Sequence, residues 1–303
     1  MPFWDALRDA WDILGRARGP REVLDAVVPG LANPIVLNEG DPPGLPAVEL
    51  IRALRAARNE LAVHIRGGRV DYDALRAPDA LARLEHLAPG LRAVTPEDLA
   101  GDAERIAFFL DLYNVLSIHG VIALGIEASV MEVPSFFGRV SYVVGDVRLS
   151  LDAIENGVLR RNAGHPATGR PVLPAGSAGL AFSPSDVDPR VHAALVCAST
   201  SCPAVAFYDP ARLDEQLTTA AAVYVNADVR VEGDEVHLPI TFRYYAADWG
   251  TRADIEAFLL EHADPPLRAA LEGAFASGKR LVYDRYDWSL NGPSAGGAEP
   301  NGN

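Results

Sequence analysis

The spacing of apolar and polar positions divides the chain into helices interrupted by a few short strands. Amphipathic patterns run from about Trp4 to Leu14 and from Arg21 to Val28, and an irregular run then ends in Asp41-Pro42-Pro43-Gly44-Leu45-Pro46, which reads as a hinge. Beyond it, Leu50, Ile51, Leu54, Ala57, Leu61 and Val63 predict a helix over 47–65, and a second is expected over 73–87 after the turn at Gly67-Gly68. The strongest pattern covers about Ala103 to Leu124. Ile106, Phe108, Phe109, Leu110, Leu112, Tyr113, Val115, Leu116, Ile118, Val121 and Ile122 occupy nearly the whole circumference, so this helix is expected to be buried on most sides. Its few polar residues therefore matter: Asp111 and Asn114 share a face, with His119 on the same helix.

Further along, Arg139–Val144 and Val147–Leu149 flank Gly145-Asp146 as a tight hairpin, and Ser150 is placed to cap a helix over Leu151–Arg160. Residues 164–184 form a long Gly/Pro/Ala loop, a candidate lid. The apolar run Val191–Cys197 predicts a buried central strand, ending in Ala198-Ser199-Thr200-Ser201-Cys202-Pro203. A helix is expected from Asp209-Pro210 to about Val225, a hairpin over Val229–Leu238, and helices near 252–262 and 265–274. Tyr286, Trp288 and Leu290 alternate with Asp287, Ser289 and Asn291, as in an extended segment with one buried face. Helices dominate and the strands are scattered, so the fold class is α+β, helix-rich with a small, mostly antiparallel sheet. The expected organisation is a helical prelude and hinge over 1–46, a single α+β domain over 47–292, and a disordered tail over 293–303.

Composition narrows the partners. With 27 basic and 41 acidic residues the net charge is -14, which disfavours phosphate backbones and anionic lipid, so neither nucleic acid nor membrane is an expected partner. No secretory signal or membrane-length apolar run is apparent, which points to the cytoplasm and leaves export of a processed form open. Cys197 and Cys202 lie five apart, free in a reducing compartment or closable into a small loop in an oxidising one. The chain has no complete Gly-x-x-x-x-Gly-Lys-Ser/Thr loop, Gly-x-Gly-x-x-Gly fingerprint, Gly-x-Ser-x-Gly elbow or His-Glu-x-x-His helix, so no cofactor is expected. The five-residue steps among His192, Cys197 and Cys202 do not fit zinc spacing, and no metal is expected.

Five stretches occur in a recognisable order: Phe108-Phe109-Leu110-Asp111-Leu112-Tyr113-Asn114-Val115-Leu116-Ser117-Ile118-His119, Leu149-Ser150-Leu151-Asp152-Ala153-Ile154-Glu155, Asp188-Pro189-Arg190-Val191-His192-Ala193-Ala194-Leu195-Val196-Cys197, Ser201-Cys202-Pro203, and Tyr286-Asp287-Trp288-Ser289-Leu290-Asn291. Through them the chain resembles the domain-of-unknown-function family 547 over about residues 68–292. The family's recurring polar residues fall here on Asn114, His119, Glu155, Arg190, His192, Cys202 and Asp248. Relatives often carry Trp-Ile-Asn where this chain has Phe109-Leu110-Asp111. Plant relatives that join the domain to glutaredoxin-like or leucine-zipper segments imply thiol chemistry or assembly.

A thiol becomes a useful nucleophile when a neighbouring cation, imidazole or helix N-terminus lowers its pKa. Cys202, in a Ser/Thr-rich loop after an apolar run, is the candidate, with His119 or His192 as base and Asn114 or Asp248 to orient it, as in Cys-His-Asn and Cys-His-Asp sites. Such a constellation relates the fold to permuted papain- or transglutaminase-like folds. A structural cysteine, or a bond to Cys197, is the competing reading. Arg190 either clamps a substrate carboxylate or pairs with Glu155, and the ion pair is favoured. The expected function is a thiol-dependent acyl-transfer enzyme, hydrolase or transferase, acting on a small amide, peptide or glutathione-like compound. The alternative is a non-catalytic binding or assembly domain with a structural cysteine, and homo-oligomerisation is left open.

Overall fold

One helix with no polar face organises the packing. The computed structural model describes residues 33–292, so the helices read at Trp4–Leu14 and Arg21–Val28 and the tail over 293–303 lie outside the described residues. In chain order, β1 (Ile35–Val36) leads to α1 (Ala47–Ala62), the ribbon of β2 (Ile65–Arg66) and β3 (Arg69–Val70), α2 (Tyr72–Leu75), α3 (Ala82–Leu87) and the central α4 (Asp102–Ala123). Next come α5 (Phe136–Arg139), the hairpin β4 (Val140–Val144) and β5 (Val147–Ser150), and a π-helix over Ala153–Leu159. A long irregular stretch follows, then α6 (Leu213–Asp228), the hairpin β6 (Arg230–Glu232) and β7 (Glu235–Leu238), α7 (Thr241–Tyr244), α8 (Ala246–Trp249), α9 (Arg252–His262), α10 (Pro265–Ala276) and β8 (Arg280–Tyr283).

Every residue of α4 from Ile106 to Val121 is buried. The helix is long and apolar enough to cross a bilayer, but 89% of its most apolar window is packed inside the protein, as suits a core helix. The π-helix and β4 pack on it, α1 and α3 reach it through Arg55–Glu104, Arg58–Asp111 and Glu85–His119, and a second apolar cluster gathers Tyr224, Phe242, Trp249, Leu259 and Leu271. The fold is α+β, with small mixed sheets: β1 runs parallel to β4 while β4–β5 is antiparallel, and β8 runs parallel to β7 beside the antiparallel β6–β7.

Several expectations change. The helix expected over 73–87 is two, α2 and α3, because Pro78 lies between them and cannot donate to a helical ladder. The prelude reaches into the body: β1 pairs with β4, and the Asn38 amide donates to Ala88 O at 3.1 Å and Val143 O at 2.9 Å. Residues 191–196 are buried without being a strand. A 3-10 turn spans Pro189–Ala193, and the backbone after it finds side-chain partners on α4 in place of strand neighbours. Asn114 donates to Ala194 O at 3.0 Å and Ala206 O at 3.1 Å and accepts from Val196 N at 2.9 Å, while Ser117 donates to Val196 O at 2.7 Å. One Gly-x-x-x-x-Gly-Lys spacing does occur, from Gly273 to Lys279. It lies at the C-terminal end of α10, with Arg280 in the Ser/Thr position, so it forms no N–H cradle for phosphate.

Asn114→Ala strands one buried N–H and two carbonyls, and stranded groups cost about 1–3 kcal/mol each. We expect a loss of at least about 3 kcal/mol in urea denaturation, against about 1 kcal/mol for Ser117→Ala.

A candidate thiol site

The thiols owe their positions to the clamp on 194–196. Immediately after it, Ala198 adopts a left-handed φ of 65°, a conformation costly for a residue with a Cβ, and turns the chain back. Cys202 N then donates to Ser199 O at 3.0 Å, which closes the turn and brings the Cys202 sulfur to 3.0 Å from the Cys197 N–H that donates to it. The exit from this turn rests on Gly68, where a Cβ would come within 2.5 Å of Ala204, and whose carbonyl accepts from Val205 N at 3.2 Å. Residues 286–291 form a strap over the same turn. Their alternation of partly buried and exposed side chains follows the sequence pattern, and their backbone bonds to Ser201, Thr200, Ala198 and Ala128. The strap sets the Tyr286 hydroxyl against both sulfurs.

Four side chains thus converge. The Tyr286 hydroxyl lies 2.9 Å from Cys197 Sγ and 3.2 Å from Cys202 Sγ, and Ser199 Oγ lies 3.2 Å from each sulfur while donating to Tyr286 at 2.9 Å. Both cysteines are free and partly exposed, and their side chains hydrogen-bond to each other. Burial would raise Cys202, but the bonds from Cys197, Ser199 and Tyr286 outweigh it and bring its pKa down to about 7. Cys197 moves the other way, pushed well up by burial and by its neighbour. Beside Tyr286 opens a cavity of about 220 Å³ whose walls mix charges, with Arg230 and Arg285 against Asp228 and Asp284, and with Ser201 at the thiol side.

A second polar cluster is buried behind the thiols. Glu155, on the π-helix, accepts from the Tyr113 hydroxyl at 3.2 Å and is also bonded to Tyr245. Such wide turns recur where a helix must present a functional side chain. Arg160 holds Asp248 with two nitrogens, one of them at 2.9 Å, and reaches Asn156 at 2.7 Å and Gly164 O at 2.6 Å. His192 Nε2 shares the Asp248 carboxylate at 2.8 Å, and its ring stacks on Tyr245 with centroids 4.0 Å apart. Burial would raise Asp248, but His192 and Arg160 hold it down to about 2. Tyr113 lies between the clusters: burial, then the charges of Glu155 and the thiols, raise its hydroxyl.

The expected Cys-His pairing does not form. Among the described residues neither His119 nor His192 bonds to a thiol. His119 is buried on the far side of α4, with Nδ1 2.7 Å from the Tyr142 hydroxyl and Nε2 3.7 Å from Glu85, and burial lowers its pKa to about 4. Asn114 orients backbone, and Asp248 orients His192 within the second cluster. Arg190 does form an ion pair, but with Asp188 at 2.7 Å and Asp214 at 2.9 Å, because Glu155 is enclosed by tyrosines. Asp111 likewise serves the core, pairing with Arg58 and accepting from Tyr208 N at 2.8 Å. The sequence reading missed Ser199, Tyr286, Tyr113, Tyr245 and Arg160. The alternation of Tyr286, Trp288 and Leu290 with polar residues is the signal in the sequence for the strap.

His119 supplies a pH test. Its folded pKa lies near 4, below the unfolded value of about 6.5. The unfolded chain therefore binds the proton first, so stability is full above the unfolded pKa and falls as pH drops from 6.5 toward 4, by about 3 kcal/mol. Replacing it in His119→Gln should flatten this part of the stability profile in urea titrations and leave Cys202 alkylation unchanged.

No curated protein and no solved structure matches the chain, and the relation to papain-like folds has no support: residues 203–209 are irregular, so no helix begins at Cys202. A family model does match, over residues 85–225, a stretch that holds α4, the π-helix, the 194–197 segment and both thiols. Over that stretch the chain matches the family described as Protein of unknown function, DUF547.

Proposed function

We propose that this domain is a thiol-dependent acyl-transfer enzyme whose nucleophile is the Cys202 thiolate. The observation that carries the reading is the convergence of the Cys197 N–H and Tyr286 OH on the sulfur of Cys202, a partly exposed residue, at 3.0 and 3.2 Å, with Ser199 Oγ beside it donating to Tyr286. Those donors substitute for the imidazole of a Cys-His pair. A thiolate already formed near neutrality needs no base for attack, but a site without imidazole is poorly equipped to protonate an amine leaving group. This favours acyl donors whose leaving group departs as an anion, thioesters above amides or peptides. The mixed-charge cavity beside Tyr286 suits a small zwitterionic thiol compound of the glutathione type. Attack forms a bond from Cys202 Sγ to the acyl carbon, the carbon–sulfur bond of the donor breaks, and the small thiol leaves as its thiolate. The acyl group then passes to water or a second acceptor. Free thiols suit a reducing compartment, and we place the protein in the cytoplasm.

Iodoacetamide should label Cys202 ahead of Cys197, at a rate rising through an apparent pKa of about 7. Tyr286→Phe should raise that pKa by about one unit, the worth of a lost charge-assisted hydrogen bond. Incubation with S-acetylglutathione should place one acetyl group on Cys202 and release glutathione, both lost in Cys202→Ser. Alkylation without acetylation would overturn acyl transfer.

A further inference from the structure

The nucleophile needs one thiol, and the turn presents two. The Cys197 sulfur forms no covalent bond in the acyl-transfer step above, yet it shares Ser199 Oγ and Tyr286 OH with Cys202. The backbone is already folded for closure, since the Cys197 N–H reaches Cys202 Sγ and the Cys202 N–H reaches Ser199 O. No carboxylate or imidazole among the described residues hydrogen-bonds to either sulfur.

We propose that Cys197 and Cys202 form a reversible disulfide couple that exchanges with low-molecular-weight disulfides, with Cys202 attacking and Cys197 resolving. In the first step the Cys202 thiolate attacks one sulfur of a disulfide RSSR. A Cys202–SR bond forms, the RS–SR bond breaks, and one RS⁻ leaves. In the second step Cys197 loses its proton, which RS⁻ or solvent takes, and its thiolate attacks Cys202 Sγ, expelling the second RS⁻. The cysteines are oxidised by two electrons and RSSR is reduced to two thiols, so no other oxidant enters. The reverse sequence regenerates the dithiol at the cost of two small thiols.

The arrangement makes the second step follow from the first. In the resting pair, the neighbouring Cys202 sulfur is among the causes that hold Cys197 up. Once Cys202 carries SR its negative charge is gone. Tyr286 OH, 2.9 Å from the Cys197 sulfur, is then released from stabilising Cys202 and becomes available to the Cys197 thiolate. Formation of the mixed disulfide thus prepares the thiol that resolves it. The couple shares Cys202 with the acyl-transfer reading but stands on the second sulfur, and while oxidised it holds the nucleophile out of reach of acyl donors.

The test uses the full chain titrated with oxidised glutathione, followed by intact mass and non-reducing peptide mapping. The native protein should lose two hydrogens, with Cys197 and Cys202 peptides linked, and dithiothreitol should restore it. Cys197→Ser should instead accumulate one glutathionyl group on Cys202, and Cys202→Ser should form no disulfide at a comparable rate. Persistent mixed disulfide in the native protein, with Cys202 still open to iodoacetamide once reduced, would overturn the couple and leave the nucleophile standing. Inertness of Cys202 to both iodoacetamide and glutathione disulfide would overturn both. Tyr286–Trp288 ring contact, with centroids 4.4 Å apart, supplies a second readout: closing the disulfide should change Trp288 fluorescence in the native chain and not in Cys197→Ser.

Discussion

The capture of backbone by the Asn114 amide is the contact on which the thiol site depends. A helix buried on all sides offers no place for an unpaired polar group, and a buried chain segment outside a sheet has no ladder for its N–H and C=O groups. The two deficits cancel at one place. Asn114 and Ser117 together serve Ala194, Val196 and Ala206, on both sides of the cysteine turn. With Val196 fixed, the next residue's N–H has one direction to point. The left-handed Ala198 and the Ser199–Cys202 turn then bring a sulfur to meet it. The strain at Ala198 persists because the clamp before it and the strap after it over-determine the path.

Behind the thiols, the buried charges are enclosed by aromatic rings. Tyr245 lies between the His192 ring at 4.0 Å and the Arg160 guanidinium at 4.8 Å, so it is held from both faces. Pairs such as Arg160–Asp248 contribute little net stability once desolvation is counted. Their effect is geometric: Asp248 fixes His192 and Arg160, these fix Tyr245, and Tyr245 with Tyr113 fixes the Glu155 carboxylate.

What the sequence could reveal depended on whether the determining interaction was local. The periodicity that marks α1, α4, α6, α9 and α10 is local, as are the turn residues Gly145-Asp146 and Gly233-Asp234, and those elements are present as expected. β1, β2, β3 and β8 are two to four residues long, and β1 and β8 pair with strands distant in sequence, so no local pattern announces them. The run 191–197 was apolar enough to read as a strand because burial was legible and the source of its hydrogen bonds was not. For the site, Cys202 was visible as a thiol in a turn-forming loop, whereas Tyr286 reaches it across 84 positions. The assignment of His119 failed on angle: five residues after Asn114 it points about 140° away round α4, so it faces Tyr142 when Asn114 faces the cysteine segment.

The thiols also show why two chemically identical groups part so far in a shared environment. Ser199 and Tyr286 touch both sulfurs, but a hydroxyl proton can be donated to only one anion at a time, and a second negative charge alongside the first would be repelled at short range. The pair therefore loses its protons in two separated steps, and above about pH 7 it carries a single negative charge. Which sulfur takes that charge is decided by the donor that is not shared. The Cys197 backbone N–H points at Cys202 and is geometrically unable to serve its own side chain in the same way, so the thiolate settles on Cys202 and Cys197 keeps its proton. The asymmetry lies in the fold of the backbone, which places it, through Val196, under the control of the amide on α4.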